Sequence, residues 1–296
     1  MNLEIKLGSD PEKAFGVLNA LAQILDYSIS EVGEIADSPK APAQEKHRLN
    51  PENFIFLEAA KRGNHEYPDL RISMHNLGRS YVGDTSRLDL VLKDTARTND
   101  GVPYLGKINY QQGMDLLLAS SYTPLNLRLF ADFLREVREG AYYEDRRVFD
   151  AKGKIINSER LKVIDDEMTG VRDSYRGRWF SDRYQQREDG MYVSFYKINQ
   201  DGKPELITEK LDEDTLMKDR IPGIDINSWI KNPTAQGLPR KNTKKGNLYW
   251  RYPRNGFVAG FVANSVGVDL SCLRNPQDSY AALGVQFCAE GARFEN

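Results

Sequence analysis

The chain has 296 residues, 43 acidic against 41 basic side chains, a net charge of −2 and a 40% hydrophobic content. That is enough chain for one large globular domain or two ordinary ones, and the near balance of charge leaves no global basic field for nucleic acid or an anionic membrane. Its apolar runs, such as Leu116–Ala119, fall far short of the roughly 20 residues of a membrane span, and Met1–Leu7 lacks a signal peptide's charged start and apolar stretch. A soluble protein is expected, in the cytoplasm or on a virion or cell surface.

The first unit opens with a strand-like alternation over Leu3–Leu7. Ser9, Pro11 and Glu12 then start a helix, with a cap, a first-turn proline and a carboxylate at its positive end. Ala14, Phe15, Leu18, Leu21, Ala22 and Leu25 continue it at helical spacing to about residue 26. Pro39 and Pro42 break the chain, a second helix is expected around Asn53–Lys61, and residues 68–105 read as strands and turns. A second unit is placed from about 104. It holds a helix over Asn109–Ser120 and another, capped at Thr123-Pro124, that Gly140 ends near Glu139. Thereafter the grammar is β: a turn at Asp150–Gly153 inside Val148–Ile156, then a hairpin of Met191–Ile198 and Glu205–Thr208 about Asn199–Gly202. Helices followed by irregular β give an α+β class rather than a parallel α/β sheet.

Few residues offer chemistry. His47, His65 and His75 have no zinc spacing and no cysteine nearby, so no metal is expected. Cys272 and Cys288 cannot make a disulfide framework, and whether they pair is open. Dinucleotide, phosphate-loop, nucleophile-elbow and zincin motifs are absent. The carboxylates Asp165–Glu167 and Asp212–Asp214 and the cations of Arg240–Lys245 read as solvated charge runs. Tyr175–Trp179 interleaves arginine with aromatics, the pattern of a packed β segment. No cofactor and no catalytic residue is nominated.

The tail is more informative. Gly256–Val285 has no Lys, Glu, Met or Trp and a single Gln, Gln277, in a chain otherwise rich in Lys and Glu. It carries Asn264, Asn275, Asp269, Asp278, Ser265, Ser271 and Ser279, too polar for a plain core run and close to the Tyr, Ser, Gly and Asn palette of antibody paratopes. Upstream and within it lie 225–230 (DINSWI), 232–239 (NPTAQGLP), 246–250 (GNLYW), 275–279 (NPQDS) and 283–285 (LGV).

Those stretches, in that order, resemble the carboxy-terminal end of archaeal variable proteins of diversity-generating retroelements, over roughly residues 104–296 and most strongly from 225. The resemblance implies a C-type-lectin-like domain over 104–296, related to formylglycine-generating enzymes, with a hypervariable region at about 250–290. Residues 1–100 become an N-terminal α/β extension without an assigned role. It implies a non-catalytic ligand-binding protein whose template is copied with errors at adenines. An Asn codon so rewritten yields fifteen residue types but never Lys, Glu, Gln, Met or Trp, a rule Gly256–Val285 obeys except at Gln277. The nominated ligand-facing positions are Phe257, Gly260, Val262, Val266, Val268, Asp269, Ser271, Leu273, Asp278, Tyr280 and Ala282. They alternate with a scaffold of Val258, Phe261, Ala263, Leu270, Pro276, Leu283 and Val285. The partner would be a protein or a cell-surface ligand, with no nucleic acid and no membrane insertion. A Trp-Asn-Asp motif is missing, which argues against calcium-dependent sugar binding. The alternatives are a formylglycine-generating-type oxidase, which would need Cys272 and Cys288 as a copper pair, and a receptor-binding or structural component of a virion.

Overall fold

In the computed structural model the described residues are 49–82, 95–98, 101–173, 175–289 and 291–294. Contacts divide the chain at residue 45, and everything below concerns the second unit, 46–296. The strand expected over Leu3–Leu7 and the helix expected to residue 26 lie outside the described residues.

Around Asn53–Lys61 the structure corrects the sequence reading. Asn50 caps only a single 3-10 turn, Pro51–Asn53, because the run that follows is aromatic and β-branched and buries both of its faces. It forms β1 (Phe54–Leu57), followed by the hairpin β2 (Ala60–Arg62) and β3 (His65–Tyr67) and by β4 (Leu70–Ser73). The hairpin turns at Gly63, whose φ of +61° and contact with the Ala235 carbonyl leave no room for a Cβ. A second small hairpin pairs β5 (Thr95–Arg97) with β6 (Pro103–Leu105).

Helix α1 (Tyr110–Ala119) forms where a helix is expected, and it starts in a reciprocal capping box between Asn109 and Gln112. Thr123-Pro124 does not cap the next helix; it is the short strand β7, and Asn126 caps α2 (Leu127–Tyr142) through the Leu129 N–H. Nor does Gly140 end α2. It lies inside the helix because a Cβ there would come within 2.5 Å of Val148 and 2.7 Å of Leu161. Leu161 belongs to α3 (Ser158–Thr169), a helix absent from the sequence reading. Its inward face mixes Leu161, Ile164 and Met168 with the carboxylates Asp165 and Glu167. Asp165 is therefore not a solvated surface group: its Oδ1 and Oδ2 both accept from Nη1 of Arg138, at 2.8 and 2.9 Å, and Oδ2 also accepts the Tyr142 hydroxyl at 3.0 Å.

The remaining elements are β8 (Arg176–Arg187), β9 (Gly190–Ile198), β10 (Pro204–Lys210), β11 (Arg220–Ile224), α4 (Ile226–Lys231), β12 (Leu248–Arg251), β13 (Val258–Ala263), β14 (Val268–Arg274), β15 (Leu283–Val285) and β16 (Phe287–Ala289). The large sheet runs β10-β9-β8-β13-β14-β12-β11, with β15 against β8; a small sheet runs β1-β4-β16-β7. Among the described residues only β12–β14 and β15–β8 pair in parallel, so the class is α+β. The small sheet moves the expected domain boundary. Ile72 pairs with Cys288 and Arg71 with Ala289, so residues 54–73 are built into the same unit as the tail, which does not begin at 104.

Apolar residues pack on both sides of the large sheet around β8 and β13. On one side Phe130 of α2 meets Phe180 at 4.6 Å and Phe261 at 5.0 Å between ring centroids, with Trp229 and Leu270 in the same cluster. On the other, Tyr110 of α1 stands edge-on to Trp179 at 6.3 Å, beside Val258, Leu283 and Val285. Among the described residues no helix is long and apolar enough to cross a membrane.

Candidate ligand-binding surface

Strands β12, β13 and β14 lie side by side, and their register decides which residues look outward. Val262 is opposite Asp269 and Gly260 opposite Ser271; Tyr249 and Arg251 of β12 continue the same rows. Since successive side chains of a strand point to opposite faces, Trp250, Phe261, Leu270 and Cys272 share the other side, and all four are buried in the core with α2. The outward rows hold Tyr249, Arg251, Asp269 and Leu273, each half-buried at the surface.

The eleven nominated positions divide accordingly. Val266 and Tyr280 are exposed, at 73% and 48%. Phe257, Asp269, Leu273, Asp278 and Ala282 are half-buried. Four are corrected: Gly260, Val262, Val268 and Ser271 are buried. Val268 lies in register with Leu248 and Ala263 and points with them into the core. Val262 covers Gly177 on the neighbouring strand, and Gly260 lies under the aliphatic stem of Arg274, 3.6 Å from where a Cβ would stand. Among the presumed scaffold residues, Val258, Phe261, Ala263, Leu270, Leu283 and Val285 are buried, whereas Pro276 is half-buried.

Several surface groups here were not nominated. Arg274 reaches Asp269 at 3.4 Å and the Tyr175 hydroxyl at 3.4 Å, and the Tyr175 and Tyr280 rings lie 5.4 Å apart. Asp219 draws Arg254 to 3.3 Å and Arg251 to 3.8 Å, and the Arg254 guanidinium stacks 5.0 Å over Tyr252. Burial pushes the Asp269 carboxyl above the usual carboxylate range, against the pull of Arg274 and Arg251. Alternation could have found Tyr249 and Arg251, because they flank Trp250 within one short strand. Tyr175 and Arg274 are brought together only by the β8–β13–β14 pairing. Beside the face, a groove of about 600 Å³ is lined by Tyr249, Val266, Val268, Pro222, Val171 and Arg138.

The other chemical candidates are structural. Arg240 pairs with Asp212 at 3.6 Å and Asp214 at 3.0 Å, so the acidic and basic runs meet each other. Arg178 is buried, gives Nη1 to Gln286 at 2.8 Å and lies 5.6 Å over the Phe130 ring, the packed β segment expected for Tyr175–Trp179. Cys272 and Cys288 are free and buried, Cys272 accepting the Tyr184 hydroxyl at 3.2 Å. Burial pushes the Cys272 thiol well up and the Cys288 thiol to about 12, which disfavours the thiolates a copper pair needs. Among the described residues no three of His, Cys, Asp and Glu stand close enough together to hold a metal ion. No known family, no curated protein and no solved structure matches the chain.

Proposed function

We propose that the protein is a non-catalytic binding protein that presents a diversified surface on a C-type-lectin-like scaffold, the open face of β12–β14 and the loop 275–282 being the surface that meets its ligand. The observation that carries this reading is the division of labour within single strands. Trp250, Phe261 and Leu270 are fully buried, whereas Tyr249, Arg251 and Asp269 on the same or adjoining strands stand outward. A surface built this way can be rewritten while its backbone is held from below. Its outward composition of tyrosine and arginine is that of interface hot spots, where a few large side chains supply most of the affinity. Phe257, Val266, Asp269, Leu273, Asp278, Tyr280 and Ala282 are the ligand-facing members of the nominated set, and the composition of Gly256–Val285, without Lys, Glu, Met or Trp, is what template-directed adenine mutagenesis would leave.

Sequencing the locus tests the reading. The expected finding is a second, near-identical copy of the coding sequence for about residues 250–290, differing at adenine positions, beside a reverse-transcriptase gene. A locus with neither feature overturns the diversification reading.

A further inference from the structure

Three guanidinium groups on the open face, those of Arg251, Arg254 and Arg274, share two carboxylates, Asp219 and Asp269. These five groups leave one cation in excess.

Arg274 is the most buried of the three, at 15% side-chain exposure against 37% for Arg251 and 47% for Arg254. Its two polar contacts, to Asp269 and Tyr175, are both 3.4 Å long, beyond the 2.7–3.2 Å of ordinary N–H···O bonds. Its Nε is buried and makes no hydrogen bond, and neither does Oδ1 of Asp269. Side-chain exposures of 15% for Arg274 and 26% for Asp269 mean that water does little to repair this. The pair is a cation and a carboxylate held close without the two-armed geometry that makes such pairs strong. Burial also raises the proton affinity of Asp269, which makes it a poor permanent counter-ion. Nη1 of Arg274 points to the Tyr175 hydroxyl, and the Tyr280 ring lies beside that of Tyr175.

We propose, building on the ligand-binding reading above, that this face takes an acidic segment of a partner protein, one of whose carboxylates engages the Arg274 fork in place of Asp269 while aromatic or apolar neighbours pack against Tyr175 and Tyr280. Neither Arg274 nor Tyr175 is among the nominated variable positions, so the pair is a constant anchor inside a changeable surface. A planar fork suits a carboxylate held two-armed, and the adjoining Tyr175–Tyr280 ring pair supplies the water-excluding contacts under which such a pair gains strength.

The test uses the full chain and two matched fluorescein-labelled peptides, one alternating glutamate and tyrosine, the other glutamine and tyrosine, read by fluorescence anisotropy at low ionic strength. The glutamate peptide should bind at least about tenfold more tightly than the glutamine peptide, a difference of about 1.4 kcal/mol. Arg274→Gln should erase that preference. Asp269→Asn should strengthen glutamate-peptide binding several-fold, because it removes the competing carboxylate; this gain keeps the test decisive if Arg274→Gln fails to fold. Equal binding of the two peptides, weaker binding by Asp269→Asn, or tighter binding of a single-stranded oligothymidylate than of the glutamate peptide would each overturn the proposal, as would no binding of either peptide. These outcomes are independent of the locus, so the acidic-partner inference can fail while the diversified-surface reading stands.

Discussion

Display and support can be separated by mutation. Take Tyr280→Asn, Val266→Ser and Asp278→Tyr combined in one chain, and compare it with Leu270→Ala and with Val262→Ser, each alone. Val266 is 73% exposed, and substitutions at such sites cost within about 0.5 kcal/mol. Asp278 is half-buried on a loop, where only its backbone N–H is seen to bond, to the Asn275 carbonyl. Tyr280 adds a ring contact with Tyr175, worth about 0.5–1.5 kcal/mol. The triple change therefore sums to about 1–2 kcal/mol, or roughly 2–8 °C in Tm for a unit of this size. Leu270 is fully buried in the cluster with Phe261 and Trp250. Cutting it to Ala removes a buried isobutyl group at about 2–5 kcal/mol, roughly 4–20 °C. Val262, also buried, loses two methyl groups and gains a hydroxyl among apolar neighbours, for about 2–4 kcal/mol. Differential scanning calorimetry, with urea melts to verify that the m-value is unchanged, gives the order. Either single change should lower Tm more than the three together; the reverse order would mean that the outward rows are packing surface and not display.

Other consequences follow from the buried groups. Asp182 is wholly buried and accepts the Leu127 N–H at 2.8 Å, yet burial raises its carboxyl to about 8. Its folded pKa lies above its unfolded value near 3.9, so its contribution to stability is fully present below pH 4 and is lost as pH rises to about 8, then stays flat. Asp182→Asn should flatten the wild-type fall in Tm between pH 5 and pH 9, and an unchanged pH slope would refute the assignment. Gly140→Ala places a methyl within 2.5 Å of Val148 and should cost about 1–3 kcal/mol in a chemical melt; a neutral or stabilising result would mean that α2 and α3 stand farther apart. Cys272 and Cys288 should resist a thiol reagent at neutral pH in the native chain and react at once in urea, with rapid native labelling of either as the contrary result.

What was legible in the sequence was whatever local pattern decides. The helix over Asn109–Ser120 and the Asn199–Gly202 turn between β9 and β10 are short-range features, and both are present as read. The alternation in β13 and β14 gave the core residues Phe261 and Leu270. It misplaced Val268, because the chain enters β14 through Val266 and Gly267 and the phase of the strand is reset there. Residues governed by distant partners were not legible. Asp165 looks like a surface charge until Arg138 and Tyr142 arrive from α2, and Gly140 looks like a helix stop until Val148 and Leu161 pack against it. Phe54–Leu57 carries a weak helical period, but pairing with β4 outweighs it. The charged half of the candidate face escaped for the same reason. Tyr175 and Arg274 are 99 residues apart in the chain and become neighbours only through β13.

The two short strands that close the fold come last. β15 lies along β8 at Gly177–Trp179, and β16 slots between β4 and β7, so the small sheet has no continuous middle without Phe287–Ala289. Their apolar residues seal Trp179, Leu105 and Tyr122 from water. During synthesis neither sheet can be completed until the ribosome has passed the whole of 256–285, the stretch proposed to be rewritten. A stop codon or frame slip introduced there deletes both closing strands and leaves a chain with open sheet edges and wet aromatic side chains, a substrate for chaperones and proteases. For a tail rewritten as proposed, folding would act as a reading-frame filter: in-frame substitutions on the outward rows would leave the closure intact, while truncations would remove themselves.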